Sequence, residues 1–166
     1  MEKFYAFEET FLVIAENEEE AKKKYRKALR AMYSGRKADC KSCIEISNDV
    51  LGKISEIIEE IADDYSGYSI KDTYALDRKS VELTCLDVRT SIGIRTYRLL
   101  FGNDIPVEDV YFFRLIENSY VKGERGRWIK SDTEEIPVPF VIDGKFSGSC
   151  IKCFIECVTG YEDLPF

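Results

Sequence analysis

Two cysteine pairs, Cys40-Lys-Ser-Cys43 and Cys150-Ile-Lys-Cys153, are the residues of this chain whose type and spacing could do chemistry. Two residues between partners let one turn of backbone present both sulfurs to a single ion at about 2.3 Å. Two such pairs supply the four thiolates of a closed tetrahedral zinc site, with Cys157 as a substitute ligand. The chain has no histidine, so the all-sulfur site is the zinc site of this type open to it. Four thiolates leave no vacant position for substrate, and the zinc would be structural.

The same spacing serves other ends. Free cysteine is commonly a small buried hydrophobe, and Cys43-Ile44 and Cys153-Phe154 look as much like core packing as ligation. The gap between the pairs also exceeds the dozen or two residues of compact zinc ribbons. Disulfides would suit an oxidising or very hot setting. A thiol oxidoreductase needs a strand before the pair and a helix N-terminus to lower the thiol pKa. Here a helix and Gly35 precede Cys40, which suits that chemistry poorly.

Without histidine, the commonest general base is missing too. Asp87, Asp109, Glu117 and Asp143 fall near strands, but no spacing joins them into a nuclease or hydrolase signature. Phosphate-binding glycine loops and nucleophile elbows are absent. No catalytic residue is assigned.

One local patch mixes cations with an aromatic ring, Lys122-Gly-Glu-Arg-Gly-Arg-Trp-Ile-Lys130. Arg125, Arg127, Trp128 and Lys130 on a glycine-rich hairpin could hold a phosphate chain and stack a base. The bland reading is an exposed turn whose Trp covers a sheet edge. The formal charge of −7 over 166 residues argues against a generic phosphate-backbone binder.

Positioning these groups falls to a chain that reads as one domain, since its length suits one core and no linker or repeat interrupts it. Lys3 to Ala15 is strand material, either one bent strand or a tight hairpin around Glu8-Glu9. Asn17 caps a helix running to about Ser34 and stopping at Gly35, with Glu20 reaching back as in a capping box. Its apolar stripe is Ala21, Tyr25, Ala28, Leu29 and Met32. Glu18, Glu19 and Glu20 stand four residues before Lys22, Lys23 and Lys24, the favourable order for ion pairs.

A second helix follows Ser47 or Asn48, with Val50, Leu51, Ile54, Ile57, Ile58 and Ile61 on one face. Its outer face carries Glu56, Glu59, Glu60, Asp63 and Asp64. Lys22 to Lys37 holds eight basic residues and no acids, so the two helices are oppositely charged. An antiparallel helix hairpin joined by the loop of Cys40 and Cys43 is the expected arrangement.

Beyond Gly67 the period switches to two. Strands are expected around Val81 to Val88, with a bulge before Leu86, over Ile94–Phe101, and centrally at Val110–Ile116. Ile136 to Ile142 reads as an edge strand because of Pro137 and Pro139, ending at the Asp143-Gly144 turn. Ser149 and Gly160 bracket a short final helix with Cys150, Cys153 and Cys157 on one stripe. The expected fold is α+β, two N-terminal helices on a mostly antiparallel sheet of about five or six strands, closed by that helix.

No apolar run approaches the roughly 20 residues of a membrane span, and the acid-broken N-terminus does not resemble a secretory signal. The expected location is the cytoplasm. The expected function is a non-catalytic interaction protein that binds a macromolecule, foremost another protein. Its binding features would be the acidic face from Glu56 to Asp64 and the apolar tail Tyr161–Phe166, acting as an acidic inhibitor. The alternatives are a zinc-stabilised module for single-stranded nucleic acid and a thiol oxidoreductase.

Overall fold

The computed structural model describes residues 1–32, 42–64, 81–89, 93–103 and 105–159, of which 62–64, 81–89, 93 and 159 by backbone alone. Strands β1 (Lys3–Phe7) and β2 (Phe11–Ala15) form a tight hairpin. Its turn holds Glu8 and Glu9 at φ of 50° and 62°, a left-handed backbone that side chains enter at a cost of about 1–2 kcal/mol each.

Helix α1 (Glu18–Met32) starts as its sequence dictates. Asn17 Oδ1 accepts the Glu20 amide at 2.9 Å, and Glu20 Oε2 reaches back to the amide of Glu16 at 3.0 Å. Ala21, Tyr25 and Ala28 are buried, with Leu29 and Met32 packed beside them. Lys22–Glu18 and Lys24–Glu20 pairs run along the outside at 2.8 and 3.1 Å. The expected stop at Gly35 lies outside the described residues.

The expected helix hairpin is not formed. Cys43-Ile-Glu-Ile46 is strand β3, paired antiparallel with the outer side of β1, and helix α2 (Val50–Asp64) follows it. Helix α1 packs with Tyr5, Phe7, Phe11 and Val13, whereas α2 packs with Ala6, Leu12 and Ile14. Neighbouring residues of a strand point to opposite faces, so the two helices lie on opposite sides of the sheet. Ile44 and Ile46, paired with Ala6 and Phe4, share the face that α2 covers, while Cys43 faces the α1 side.

The sheet continues through β4 (Val81–Arg89), β5 (Gly93–Gly102), β6 (Val110–Lys122) and β7 (Trp128–Pro137). Its order is β3-β1-β2-β6-β5-β4, with β7 also paired to β6. Among the described residues it has seven strands, close to the five or six expected, every pairing there is antiparallel, and β4 carries the expected irregularity between Thr84 and Leu86. Strand β6 has 13 residues and two partners on one side. Its beginning pairs with β2, then Arg114 to Lys122 pairs with β7.

The segment expected as one edge strand is divided. Strand β7 ends at Pro137, and β8 (Val141–Ile142) and β9 (Lys145–Phe146) form a separate small hairpin. Asp143 and Gly144, at φ of 51° and 76°, make its turn. Helix α3 (Gly148–Thr159) closes the α2 face with Ile151 and Ile155 buried. Its amide at Cys150 is capped by Ser147 Oγ at 3.2 Å, not by Ser149. The helices are therefore not grouped at the N-terminus, and the sheet lies between α1 and the α2–α3 pair.

Candidate binding surface on the paired ribbon

The α1 layer ends partway along β6. Val110 and Phe112 lie in the α1 core, and the next residue on that face is Arg114. Its guanidinium carbon stands 5.5 Å from the centre of the Phe112 ring, and its Nε is 3.3 Å from Glu135 Oε1. Arg114 thus closes the edge of the core with its apolar stem while its charge faces a carboxylate. Beyond it, among the described residues, no helix packs on this face. Leu100, Arg98, Thr96 and Ile94 of β5 and Ile116, Asn118 and Tyr120 of β6 are all only half-buried.

The register sets which side chains share this face, because cross-strand partners lie side by side. Ile94 opposes Tyr120, and Tyr120 opposes Lys130, while Lys122 opposes Trp128. Tyr120, Lys122, Trp128 and Lys130 therefore lie on this same face. Nearer the core, Thr133 Oγ1 meets Asn118 Oδ1 at 2.9 Å. A register shift opposite Ser119 and Tyr120 places Ser131 out of the ladder, and its hydroxyl donates to Ser119 O at 3.1 Å. Such a bulge sharpens the local twist and re-aims the ribbon tip.

The turn at the tip is held from both sides. The Gly123 amide donates to Arg127 O at 2.8 Å and the Gly126 amide to Gly123 O at 3.0 Å. Gly126 sits at φ 74°, where glycine carries no steric penalty. On the reverse face Val121 opposes Ile129. Ile129 Cδ1 folds over Gly123 so closely that a Cβ there would meet it at 2.6 Å. Arg125, Arg127, Trp128 and Lys130 are all exposed, Trp128 at 47% and Ile129 at 56%. The hairpin brings these four residues together, as the sequence suggested. Tyr120 was missed, because its place beside them depends on register alone.

The cysteines whose side chains are described do not gather at one point. Cys43 packs on the α1 side, while Cys150, Cys153 and Cys157 are free thiols on α3, in the opposite layer. Cys40 lies outside the described residues. Among the described residues no group of three or more cysteines and carboxylates gathers in a way that could hold a metal ion. Burial pushes the Cys150 thiol up, helped by Cys153 and Glu9, the reverse of the shift that readies a nucleophilic sulfur.

On α2, Glu56, Glu59 and Glu60 are exposed as expected, and the side chains of Asp63 and Asp64 lie outside the description. Glu60 meets Lys152 of α3 at 3.4 Å. The pair borders a shallow groove of about 320 Å³ over Ile57 and Phe146, with Lys53 and Glu56 beside it. Its charges alternate and converge on no single point. The tail Tyr161–Phe166 lies outside the described residues. Among them no helix is long and apolar enough to cross a membrane. Compared with known proteins, the chain matches no family model, no curated protein and no solved structure.

Proposed function

We propose that this chain is a non-catalytic binding domain that holds another macromolecule with the β6–β7 ribbon. One observation carries the reading. Trp128 and Ile129 are about half exposed at the ribbon tip, among four cations and one carboxylate, in a chain of net charge −7. Exposed tryptophan flanked by arginine is the composition of binding hot spots. A cationic tip on an acidic body also orients the molecule toward an anionic surface. The ribbon is a continuous paired ladder closed by a hydrogen-bonded turn, which limits the ordering entropy that opposes docking.

The α2 face supports a second reading, an acidic surface for a basic partner protein. Exposed Glu56 and Glu59 favour it, and the Glu60–Lys152 pair weakens it by neutralising part of the charge.

A photo-crosslinking residue in place of Trp128, Glu59 or Lys23, irradiated in extract of the cells that make the protein, tests the choice. A macromolecular adduct at 128 and none at 23 is expected. Adducts at 59 alone would move the binding surface to α2, and adducts at none of the three would end the binding reading.

A further inference from the structure

We infer that the occupant of the ribbon is single-stranded nucleic acid, with bases stacked on Tyr120 and Trp128 and phosphates met by Lys122, Lys130, Arg125 and Arg127. The inference rests on the ribbon being the binding surface and adds the chemical class of what it binds.

The register supplies the argument. Lys122 lies opposite Trp128 and Lys130 opposite Tyr120, so rings and cations alternate across two strands of one open face. The two aromatic residues sit diagonally, at a separation of about 7–8 Å that lets rings of this size serve neighbouring bases. A backbone passing over such a lattice finds a positive charge beside each stacking ring, the combination that grips single strands without reading their sequence. Arg125 and Arg127 extend the positive charge into the turn, opposed by Glu124 alone between residues 120 and 130.

Protein and duplex fit this face less well. Protein interface centres are depleted in lysine, whereas here each ring has lysine beside it. In a duplex the bases are already stacked on one another, and reading its major groove takes an inserted helix or two-stranded ribbon carrying base-edge donors and acceptors, not flat rings. The apolar pair Val121 and Ile129 faces the other way and braces the turn through Gly123, which leaves the ring-bearing face to the ligand.

Trp128 is the one tryptophan in the chain, so intrinsic fluorescence reports from inside the proposed site. The test titrates the full-length protein with single-stranded oligo-dT and oligo-U of about 12 nucleotides, and with a duplex of equal length, at several salt concentrations. Strong quenching by the single strands is expected. Engagement of three or four phosphates predicts log affinity falling with log salt at a slope of about −2 to −3. Labelled oligonucleotides should bind Trp128→Ala and Tyr120→Ala at least about fivefold more weakly, and Trp128→Phe nearly as well as the parent. Arg125→Glu/Arg127→Glu should flatten the salt slope. Arg125, Arg127 and Trp128 are exposed and Tyr120 is half-buried, and matching melting curves would show the variants folded.

Equal or tighter binding of the duplex would overturn the inference, as would unquenched fluorescence at low salt. If oligonucleotides fail while crosslinks from position 128 reach a protein, this inference falls and the ribbon remains the binding surface. If crosslinks fail as well, both fall.

Discussion

Strands β2 and β7 flank the same strand, β6, one after the other along one side, yet they meet opposite surroundings. All five residues of β2 are buried, because α1 covers one face and α2 with α3 the other. In β7 only Ile136 is even partly covered. Backbone pairing is the same kind of ladder in both, so the difference comes from what lies above and below it. Fully burying a Val, Leu, Ile or Phe side chain is worth about 1.5–3 kcal/mol, a gain made by four of the five β2 residues and scarcely at all in β7. The burial that stabilises the fold therefore lies at the β1–β2 end, and the exposed ribbon contributes little of it.

The sharpest way to break this comparison is to delete the same bulk from both regions. Leu12→Ala, at a fully buried site between β1 and β6, should cost about 2–5 kcal/mol in urea unfolding. A loss below 1 kcal/mol would mean that the two-sided core does not hold the sheet.

A second contrast lies at the rim of the α1 layer, where Lys24 Nζ donates to Ile14 O at 2.9 Å and meets Asp109 Oδ2 at 3.2 Å. Burial alone would lower the Lys24 pKa, but hydrogen bonds to Glu20 and Asp109 outweigh it and leave it above the ordinary 10.5. Tyr97, whose hydroxyl donates to Val158 O, is pushed by burial and Glu117 to about 12 from 10.0. Both folded-state pKa values are raised, so both contributions are fully present below pH 10 and are lost as pH rises through the raised values. Unfolding followed from pH 9 to 12 should show falling stability. Lys24→Met should cost about 1–2 kcal/mol at neutral pH and, like Tyr97→Phe, flatten part of the alkaline decline. A decline unchanged in both variants would remove these groups as its cause.

Loss of the α1 cap by Asn17→Ala should cost about 1 kcal/mol in the same measurement, and no change would mean that the hydrogen bond to Glu20 does not hold the helix start. The smallest effect belongs to the ribbon. Ile129→Ala should stay within about 0.5 kcal/mol, and a larger loss would make the ribbon part of the core after all.

How much of this was legible follows the same division. Asn17 and Glu20 announced α1, and Val50 to Ile61 announced α2, because a one-sided apolar stripe needs no partner to be recognised. The Asp143-Gly144 turn and the β6 core run were legible for similar reasons. The relation between α1 and α2 was not. Opposite charge suggested adjacency, whereas the uninterrupted run Phe11-Leu-Val-Ile-Ala15 was the relevant sign, since a strand apolar on both sides needs a layer on each. Strand β7 escaped notice because Trp-Ile-Lys-Ser-Asp-Thr-Glu-Glu has no buried face and hence no alternation. In the candidate site, cations bracketed by glycines drew attention to Arg125, Arg127, Trp128 and Lys130. Tyr120 could be added only once pairing to Lys130 was known. The cysteine spacing raised a common site, but spacing does not say that Cys43 packs on the α1 side while Cys150, Cys153 and Cys157 ride on α3.

The pairing of Leu12 with Tyr111 has a consequence for synthesis of the chain. At about 5–20 residues per second, the first hairpin leaves the ribosome roughly 5–20 s before the strand that seals its open margin. Through that interval a ladder edge greasy above and below waits without a mate, and it is then that a chaperone would find this protein.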